Sequence, residues 1–238
     1  MTEKRRLNRL INHPISTLTL DKLSSSAIVA FGDRRLPDGA RTTHYGLTLI
    51  RHYLKIAIHE WGLMLSSNPV DFINMPPTSK PRQPRINKGE YESLEQASHL
   101  TLNSHIWPII VLAIETAMRR GEILGLRWEH IDLAQKTAFL PMTKNGSSRW
   151  VTLSDEAITK LSRAPKDSER PFPVTDVAFR QAWDRLRHRA NITDLNFHDL
   201  RHEAISRMFD SGMKIHEVMA VSGHKTASQL FRYVQIAS

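Results

Sequence analysis

The sequence predicts a mainly α protein with a small β-sheet, an α+β fold class, divided into two domains. Three observations predict it. Apolar residues recur at helical spacing along most of the chain, two short β-like segments flank an Asn-Gly pair, and closely spaced prolines interrupt the pattern after residue 75. With 238 residues, 40% of them apolar, the chain is long enough to bury a sizeable core.

The proline-rich stretch predicts the domain boundary. Proline cannot continue a helix and favours an extended backbone before it, so helix formation should stop there. We therefore expect a helical domain over residues 1–75, a basic linker over 76–90 and a second domain over 91–238. The linker's positive charges either keep it solvated or cross a nucleic-acid backbone, and the sequence leaves both readings open.

Two helices are expected in the first domain. A short one should begin near Ser24, whose hydroxyl can cap it. A longer amphipathic helix follows, in which Leu47, Leu54 and Trp61 lie on one apolar stripe and basic residues occupy much of the remaining surface.

The second domain should begin with a buried helix and a hairpin. The run Ile109–Ala117 is apolar on nearly every side, and it leads directly into charged residues. Thr137–Met142 and Arg149–Leu153 have the composition of short strands, and the Asn-Gly pair between them suits a tight hairpin. Lys144 would then sit at the hairpin tip.

Three helices are expected toward the C-terminus. Helical spacing runs from Leu200 to Phe209, and Gly212 is placed to end that helix. A short helix should stop at Gly223, and a last one should carry Leu230 and Tyr233.

Composition bounds the class of protein. The formal net charge of +9 favours a polyanionic partner, since each Lys or Arg that neutralises a phosphate releases a counterion. The absence of cysteine excludes disulfides and thiolate metal sites, and it fits a reducing cytoplasm. No signal peptide and no apolar run of about 18 residues is present, so we expect a cytoplasmic protein that is not exported and does not enter a membrane.

Several residues together could attack a phosphodiester without a metal. Tyrosine has a pKa of about 10, so its hydroxyl becomes a useful nucleophile only beside positive charge or a base. Arginines can grip phosphate oxygens through paired N–H bonds, and a lysine can protonate the departing sugar oxygen. The candidate set is Arg119, Lys144, His198, Arg201, His224 and Tyr233.

Each of these residues also has an ordinary explanation. Taken alone, Tyr233 would be a packed aromatic, Lys144 a solvated turn residue, and Arg119 or Arg201 a surface or salt-bridge residue. His198 and His202, four apart on a helix, could instead hold zinc in a metal-dependent phosphodiesterase, although the second histidine of a zincin motif is lacking.

Taken jointly, five short motifs resemble those of the tyrosine recombinase family, which includes phage integrases. Their order and spacing agree with the family from Arg119 to Tyr233. The matching segments are Thr116–Leu124, Thr143–Gly146, His198–Glu203 with its H-x-x-R box, Ser222-Gly223-His224-Lys225 and Arg232-Tyr233.

The resemblance implies a site-specific DNA recombinase that cleaves one strand through Tyr233 and forms a 3′-phosphotyrosine. It implies that Arg119 and Arg201 bind the scissile phosphate and that Glu122 supports the site. Lys144 would protonate the leaving 5′-oxygen, with His198 in proton transfer or phosphate contact and His224 hydrogen bonded to phosphate. No metal, ATP or other cofactor is implied.

The resemblance extends less specifically to the first domain. The family's helical core-binding domain is resembled by Arg41-Thr42-Thr43 before the long helix and by Glu60-Trp61-Gly62-Leu63 leading to Asn68-Pro69-Val70. The two domains would then enclose duplex DNA as a C-shaped clamp. Expected DNA-binding residues are Arg41, Thr43, Arg51, Lys55, Lys80, Arg82 and Arg85.

The implied partners are double-stranded DNA recombination sites. The protein would be a monomer in free solution and a homotetramer on paired sites. It would be associated with the nucleoid, and accessory DNA-bending proteins could take part. Such enzymes serve DNA integration and recombination in phages and other mobile elements.

Three departures from the family pattern are visible. Ala117 stands where a glycine is usual. The separate N-terminal arm-binding domain of many integrases is missing, by nature or because the chain is a fragment. Only Val234–Ser238 follow the tyrosine, so docking through a long tail is not expected.

Two rivals share much of this pattern. A type IB topoisomerase would have similar active-site residues but would relax DNA without exchanging partners. A catalytically silent DNA-binding clamp would keep the fold without needing all six catalytic residues.

Overall fold

The computed structural model describes residues 3–77, 85–141 and 148–234. The chain divides into two compact units, Met1–Pro81 and Arg82–Ser238. The predicted domain boundaries at residues 75 and 90 stay predictions. Of the predicted site residues, Lys80, Arg82 and Lys144 lie outside the described residues, as does the tail beyond Val234.

The first unit is helical. Ser24 caps the second helix as expected, with its hydroxyl accepting from the Ala27 amide at 3.3 Å. A small core formed by Leu10, Ile28, Phe31, Leu47, Leu54 and Val70 holds the helices together. The helices are α1 (Glu3–Ile11), α2 (Ser25–Arg35) and α3 (Ala40–His59).

The ends of α3 differ from the prediction. The helix begins at Ala40, so Arg41-Thr42-Thr43 forms its first turn and does not precede it. It ends at His59 because Gly62 adopts a left-handed conformation (φ 68°) and the Leu63 amide turns back to donate to Ala57 O at 2.9 Å. Trp61 therefore lies beyond the helix and is 71% exposed, so its predicted place on the buried stripe is wrong.

The second unit is built around one apolar helix. α5 is buried along nearly its whole length, as its composition predicts, and it packs against α7 and α9. The helices of this unit are α4 (Lys88–His99), α5 (Ile106–Thr116), α6 (Arg120–Leu124), α7 (Asp155–Ser162), α8 (Asp176–Arg189), α9 (Phe197–Asp210), α10 (Ile215–Ser222) and α11 (Phe231–Val234).

A three-stranded antiparallel sheet completes this unit. Strands β2 (Thr137–Leu140) and β3 (Arg149–Thr152) are the predicted pair, in register at Ala138 and Val151. The sequence did not predict β1 (Ile131–Asp132), because two residues are too few to show an alternating pattern. A tight turn creates it, with the Asp132 carboxylate accepting from the Gln135 amide at 2.8 Å. The mainly α fold class with a small sheet is confirmed.

The C-terminal helices meet over a separate apolar cluster. Gly212 (φ 87°) follows α9 and Gly223 (φ 70°) ends α10, both in the left-handed region that glycine tolerates. Leu230 precedes α11 and does not belong to it. The cluster consists of Ala117, Ala204, Ile205, Val218, Leu230 and Tyr233.

No helix within the described ranges is long and apolar enough to cross a lipid bilayer. The same ranges hold no group of three or more His, Asp or Glu side chains arranged to bind a metal ion.

Candidate active site

The described candidate residues lie at helix ends or within helices. Arg119 immediately precedes α6, His198 and Arg201 lie on the first turns of α9, His224 follows α10, and Tyr233 lies in α11. The fold thus gathers segments that are far apart in sequence.

Arg201 is the most buried cation of the group. Arg201 is only 3% exposed. One terminal nitrogen of its guanidinium donates to Ala117 O, and the other donates to Ser222 O at 2.6 Å. Burial lowers the pKa of Arg201 to about 10, and the neighbouring charge of Arg119 adds to the effect. The side chain still carries its charge at neutral pH.

The contact of Arg201 with Ala117 explains the unusual backbone at that residue. Ala117 ends α5 in the left-handed region, with φ 53° and ψ 19°, which costs an L-residue about 1–2 kcal/mol. This conformation brings the Ala117 carbonyl to Arg201. A glycine would adopt it without strain.

Glu122 is a buried carboxylate shared by two arginines. Arg119 donates to it from its backbone amide at 2.8 Å and from its side chain at 2.9 Å. Arg149 donates two more bonds, at 3.1 and 2.7 Å, in a bidentate pair. Burial raises the pKa of Glu122, but the hydrogen bonds from Arg149 and Arg119 outweigh it, so the net shift is downward.

Arg149 is a site residue that the sequence analysis did not identify. It was placed only in a strand, yet its side chain is 8% exposed and its Nε donates to Val221 O at 2.9 Å. Its partner Glu122 lies far away in the sequence and on a different element. No local spacing rule links such a pair, so the sequence offered no signal for it.

His224 is held by its neighbour on α10. Its Nδ1 lies 2.7 Å from Ser222 Oγ, while that hydroxyl donates its hydrogen to Val218 O at 2.6 Å. Since a serine has only one hydrogen to donate, Nδ1 of His224 must carry a proton. Burial lowers the pKa of His224 to about 4, with Arg201 and Arg119 contributing, so its ring is neutral at pH 7.

Tyr233 is buried and uncharged. It is 4% exposed, its ring stacks near Phe209 with an interplanar angle of 19°, and its hydroxyl contacts Nδ1 of His202. Burial raises the pKa of Tyr233, while Arg232 and Arg201 act in the opposite direction. The two arginine charges therefore reach the phenol, although it keeps its proton in the free protein.

His198 and His202 adjoin each other on α9. His198 is accessible to solvent at the surface, yet partial desolvation by the surrounding protein, together with the charge of Arg201, lowers its pKa. The two rings are 5.1 Å apart and nearly perpendicular. His202, considered above only as a zinc ligand, instead uses its Nδ1 for Tyr233.

Two of the expected DNA-binding residues occupy other environments. Thr43 is fully buried and its hydroxyl donates to Arg35 O at 2.7 Å, so the interior placement contradicts a DNA contact. Arg85 pairs with Glu203 at 3.1 Å and with Asp210 at 2.7 Å on α9. A basic residue held by two carboxylates of its own chain is not available as a free phosphate ligand.

The other expected DNA-binding residues of the first unit lie on the surface. Arg41 and Lys55 are exposed on α3, and the Arg41 guanidinium lies 5.8 Å from the centre of the Tyr45 ring. Arg51 pairs with Asp71 at 2.5 Å, with both side chains about half exposed (46% and 50%).

Comparisons with known proteins agree on one family. The sequence model described as the phage integrase family matches residues 84–238. The chain is 38% identical over 242 residues to the shufflon-specific DNA recombinase of Escherichia coli, covering 97% of this chain and 62% of that protein. The chain thus spans less than two thirds of that relative's length.

Solved structures share the fold at low sequence identity. The Tn1549 transposon integrase in complex with transposon right end DNA superposes with a TM-score of 0.82 at 16% identity, covering 97% of this chain and 86% of that one. A lambda integrase tetramer bound to a Holliday junction gives a TM-score of 0.76 at 17% identity, covering 96% and 74%.

The Glu122 network predicts a pH-dependent stability. Glu122→Gln should lower the free energy of unfolding by about 3 kcal/mol at neutral pH, because two arginines lose a buried counter-charge. Since the folded pKa lies below the ordinary 4.5, the carboxylate stabilises the fold fully above that value and loses its effect as pH falls through the folded pKa. Urea unfolding of both proteins between about pH 7 and pH 3 measures the difference.

Glu129→Gln is the matched control, since Glu129 pairs with Arg127 on the surface, where its side chain is 63% exposed. It should change stability little. A Glu122→Gln effect no larger than that of the control at neutral pH would contradict the assignment.

Gly223 supports a second prediction. A Cβ at this position would come within 2.9 Å of the Arg149 guanidinium, which Glu122 and Val221 hold in place. Gly212 has a similar positive φ of 87°, but a Cβ there would meet nothing within 4 Å. Gly223→Ala should therefore destabilise more than Gly212→Ala in urea unfolding, because both carry the backbone strain and only one displaces Arg149. Equal losses would show that Arg149 moves freely.

Proposed function

Because the chain belongs to the phage integrase family, we propose that it is a site-specific DNA recombinase acting through a 3′-phosphotyrosine at Tyr233. One observation carries the proposal. The fold brings a buried tyrosine hydroxyl into the field of Arg201, beside a second arginine network at Arg119, from segments far apart in the chain. This is the arrangement that metal-free phosphoryl transfer needs.

The arginines bind the scissile phosphate in this proposal. Backbone carbonyls fix the Arg201 guanidinium, and Glu122 fixes that of Arg119, so neither has to reorganise when the phosphate arrives. Their other N–H groups are the proposed phosphate donors. His198 adds proton transfer or a phosphate contact, and His224 adds a hydrogen bond to phosphate.

The reaction exchanges one phosphoester for another. The Tyr233 oxygen attacks phosphorus, the bond from phosphorus to the 5′-oxygen breaks, and the 5′-oxygen takes a proton, which we assign to Lys144. The phenol proton passes to a base of the protein. Religation reverses these steps with a partner strand, so neither a nucleotide nor a metal is needed.

The partners follow from the same premise. Double-stranded DNA recombination sites are the proposed substrate, and four copies of the chain would assemble on two paired sites, as the lambda integrase tetramer does on a Holliday junction. The first unit would serve as the core DNA-binding domain through Arg41, Arg51 and Lys55, with Lys80 and Arg82 in the linker. The protein would act in the cytoplasm, at the nucleoid.

A trapping experiment tests the proposal. Nicked duplexes tiled across the DNA that flanks the coding region act as suicide substrates, because the short strand diffuses away after cleavage. Wild-type protein should form a covalent, protease-sensitive adduct on one of them, and a chelator should not prevent it. Relaxation of supercoiled DNA without exchange between sites would instead favour a type IB topoisomerase.

Tyr233→Phe should abolish that adduct, since it removes the attacking oxygen. Tyr91→Phe is the matched control in the same unit, where the hydroxyl contacts Glu156 at 3.4 Å, and it should react like wild type. An adduct formed by Tyr233→Phe would refute the nucleophile, and no adduct from any wild-type reaction would refute the function.

A further inference from the structure

His202 makes a contact that the proposed mechanism does not use. It immediately follows Arg201 on α9, and its Nδ1 is in hydrogen-bond contact with the Tyr233 hydroxyl. The oxygen that would attack phosphorus therefore already has a partner, and that partner is an imidazole able to accept a proton.

The aromatic contacts around Tyr233 fix the direction of its hydroxyl. His202 and Phe209 lie two turns apart on one face of α9, and both rings adjoin the tyrosine ring. The ring centres are 5.6 Å away for His202 and 6.4 Å for Phe209, with interplanar angles of 30° and 19°. The guanidinium of the preceding residue, Arg232, lies 5.6 Å from the centre of the tyrosine ring. Two side chains of α9 therefore hold the ring of Tyr233 in position within the same chain.

We assign the hydrogen in this contact to the tyrosine hydroxyl, with Nδ1 of His202 as the acceptor. Burial lowers the pKa of His202 to about 4, and the positive fields of His198, Arg232 and Arg201 add to the effect, so its ring is neutral at pH 7. A neutral imidazole has one acceptor nitrogen. Since the pKa of Tyr233 is raised, the phenol keeps its hydrogen and can donate it to Nδ1.

We propose that His202 holds the Tyr233 hydroxyl in position for attack and accepts its proton during DNA cleavage, a role that rests on the proposed recombinase function. His198, which the sequence placed in proton transfer or phosphate contact, would then be left for the phosphate contact. Within the described ranges the tyrosine hydroxyl forms a hydrogen bond with His202 and none with His198.

The step balances in both directions. As the bond from the tyrosine oxygen to phosphorus forms, the phenol hydrogen moves to Nδ1 of His202, and the bond from phosphorus to the 5′-oxygen breaks. The 5′-oxygen takes its proton from a separate acid. In religation the 5′-hydroxyl attacks phosphorus and returns its proton to the separate acid, the bond from phosphorus to the tyrosine oxygen breaks, and the imidazolium returns its proton to that oxygen.

The surrounding charges make this transfer depend on DNA. His198 and Arg201 on α9, Arg232 on α11 and His224 after α10 all face this region, and cations among them oppose a charged His202. A bound phosphate brings negative charge that offsets this repulsion. A bound phosphate therefore favours the imidazolium form of His202, which results when the tyrosine oxygen bonds to phosphorus and its proton moves to Nδ1.

Two variants separate positioning from proton transfer. His202→Asn keeps an acceptor oxygen near the position of Nδ1 but cannot take the proton, and His202→Ala removes both. On the duplex that traps wild type, His202→Asn should slow adduct formation by about 10²- to 10⁴-fold, and His202→Ala at least as much. Binding to the uncleaved duplex, measured by gel shift, should stay unchanged.

A sulfur-containing substrate identifies the step. A duplex with a bridging sulfur in place of the 5′-oxygen has a leaving group that needs no acid, so it corrects defects in leaving-group protonation and not defects in the nucleophile. The His202→Asn defect should persist on it. A defect that disappears on this substrate, or a His202→Asn rate equal to wild type, would overturn the proposal.

His216→Asn provides the matched control, because His216 is an exposed histidine on α10. It should cleave at the wild-type rate. If wild type traps no duplex at all, the proposed recombinase function fails, which is distinct from a wild-type adduct that His202→Asn forms equally fast.

A measurement without DNA tests the contact itself. Nitrogen NMR of the ¹⁵N-histidine protein should show His202 protonated at Nε2 and unprotonated at Nδ1, and Tyr233→Phe should shift its Nδ1 resonance. A proton on Nδ1, or a resonance that ignores Tyr233→Phe, would refute the proposed hydrogen bond.

Discussion

The site depends on the ion pairs that the buried carboxylate of Glu122 forms with two arginines. Arg119 and Arg149 contact this carboxylate from different elements. A buried guanidinium without such a partner would strongly destabilise the folded protein. The same carboxylate caps α6 through the Arg119 amide. One side chain therefore contacts the start of α6, the start of β3 and the cation proposed to bind phosphate.

Carbonyl oxygens at helix C-termini also bind the arginines. The last carbonyls of a helix lack partners within it and carry partial negative charge, so they attract cations. Ala117 at the end of α5 and Ser222 at the end of α10 both accept from Arg201. Val221 and Gly223 accept from Arg149 and Arg119. The left-handed residues that end these helices make their carbonyls reachable, which links backbone conformation directly to the cationic site.

The site is positively charged yet holds neutral reactive groups. Burial and the neighbouring arginines keep the rings of His202 and His224 uncharged, and burial keeps the phenol of Tyr233 protonated. A bound phosphate would supply negative charge and raise the pKa of these histidines, which favours their protonated forms. Such a site is prearranged to bind an anion, which suits an enzyme proposed to break DNA.

The sequence by itself determined the fold class, most helices, the hairpin strands and the family, because these follow from local periodicity, turn residues and short motifs. It also identified Arg119, His198, Arg201, His224 and Tyr233 as candidates, since the motifs name residue types at fixed local spacing. Only the tertiary structure decided that Arg149 joins Glu122, that His202 contacts Tyr233, and that Thr43 and Arg85 are engaged within the chain. Contacts between distant segments depend on how helices and strands pack, and packing is a property of the whole core that no local pattern records.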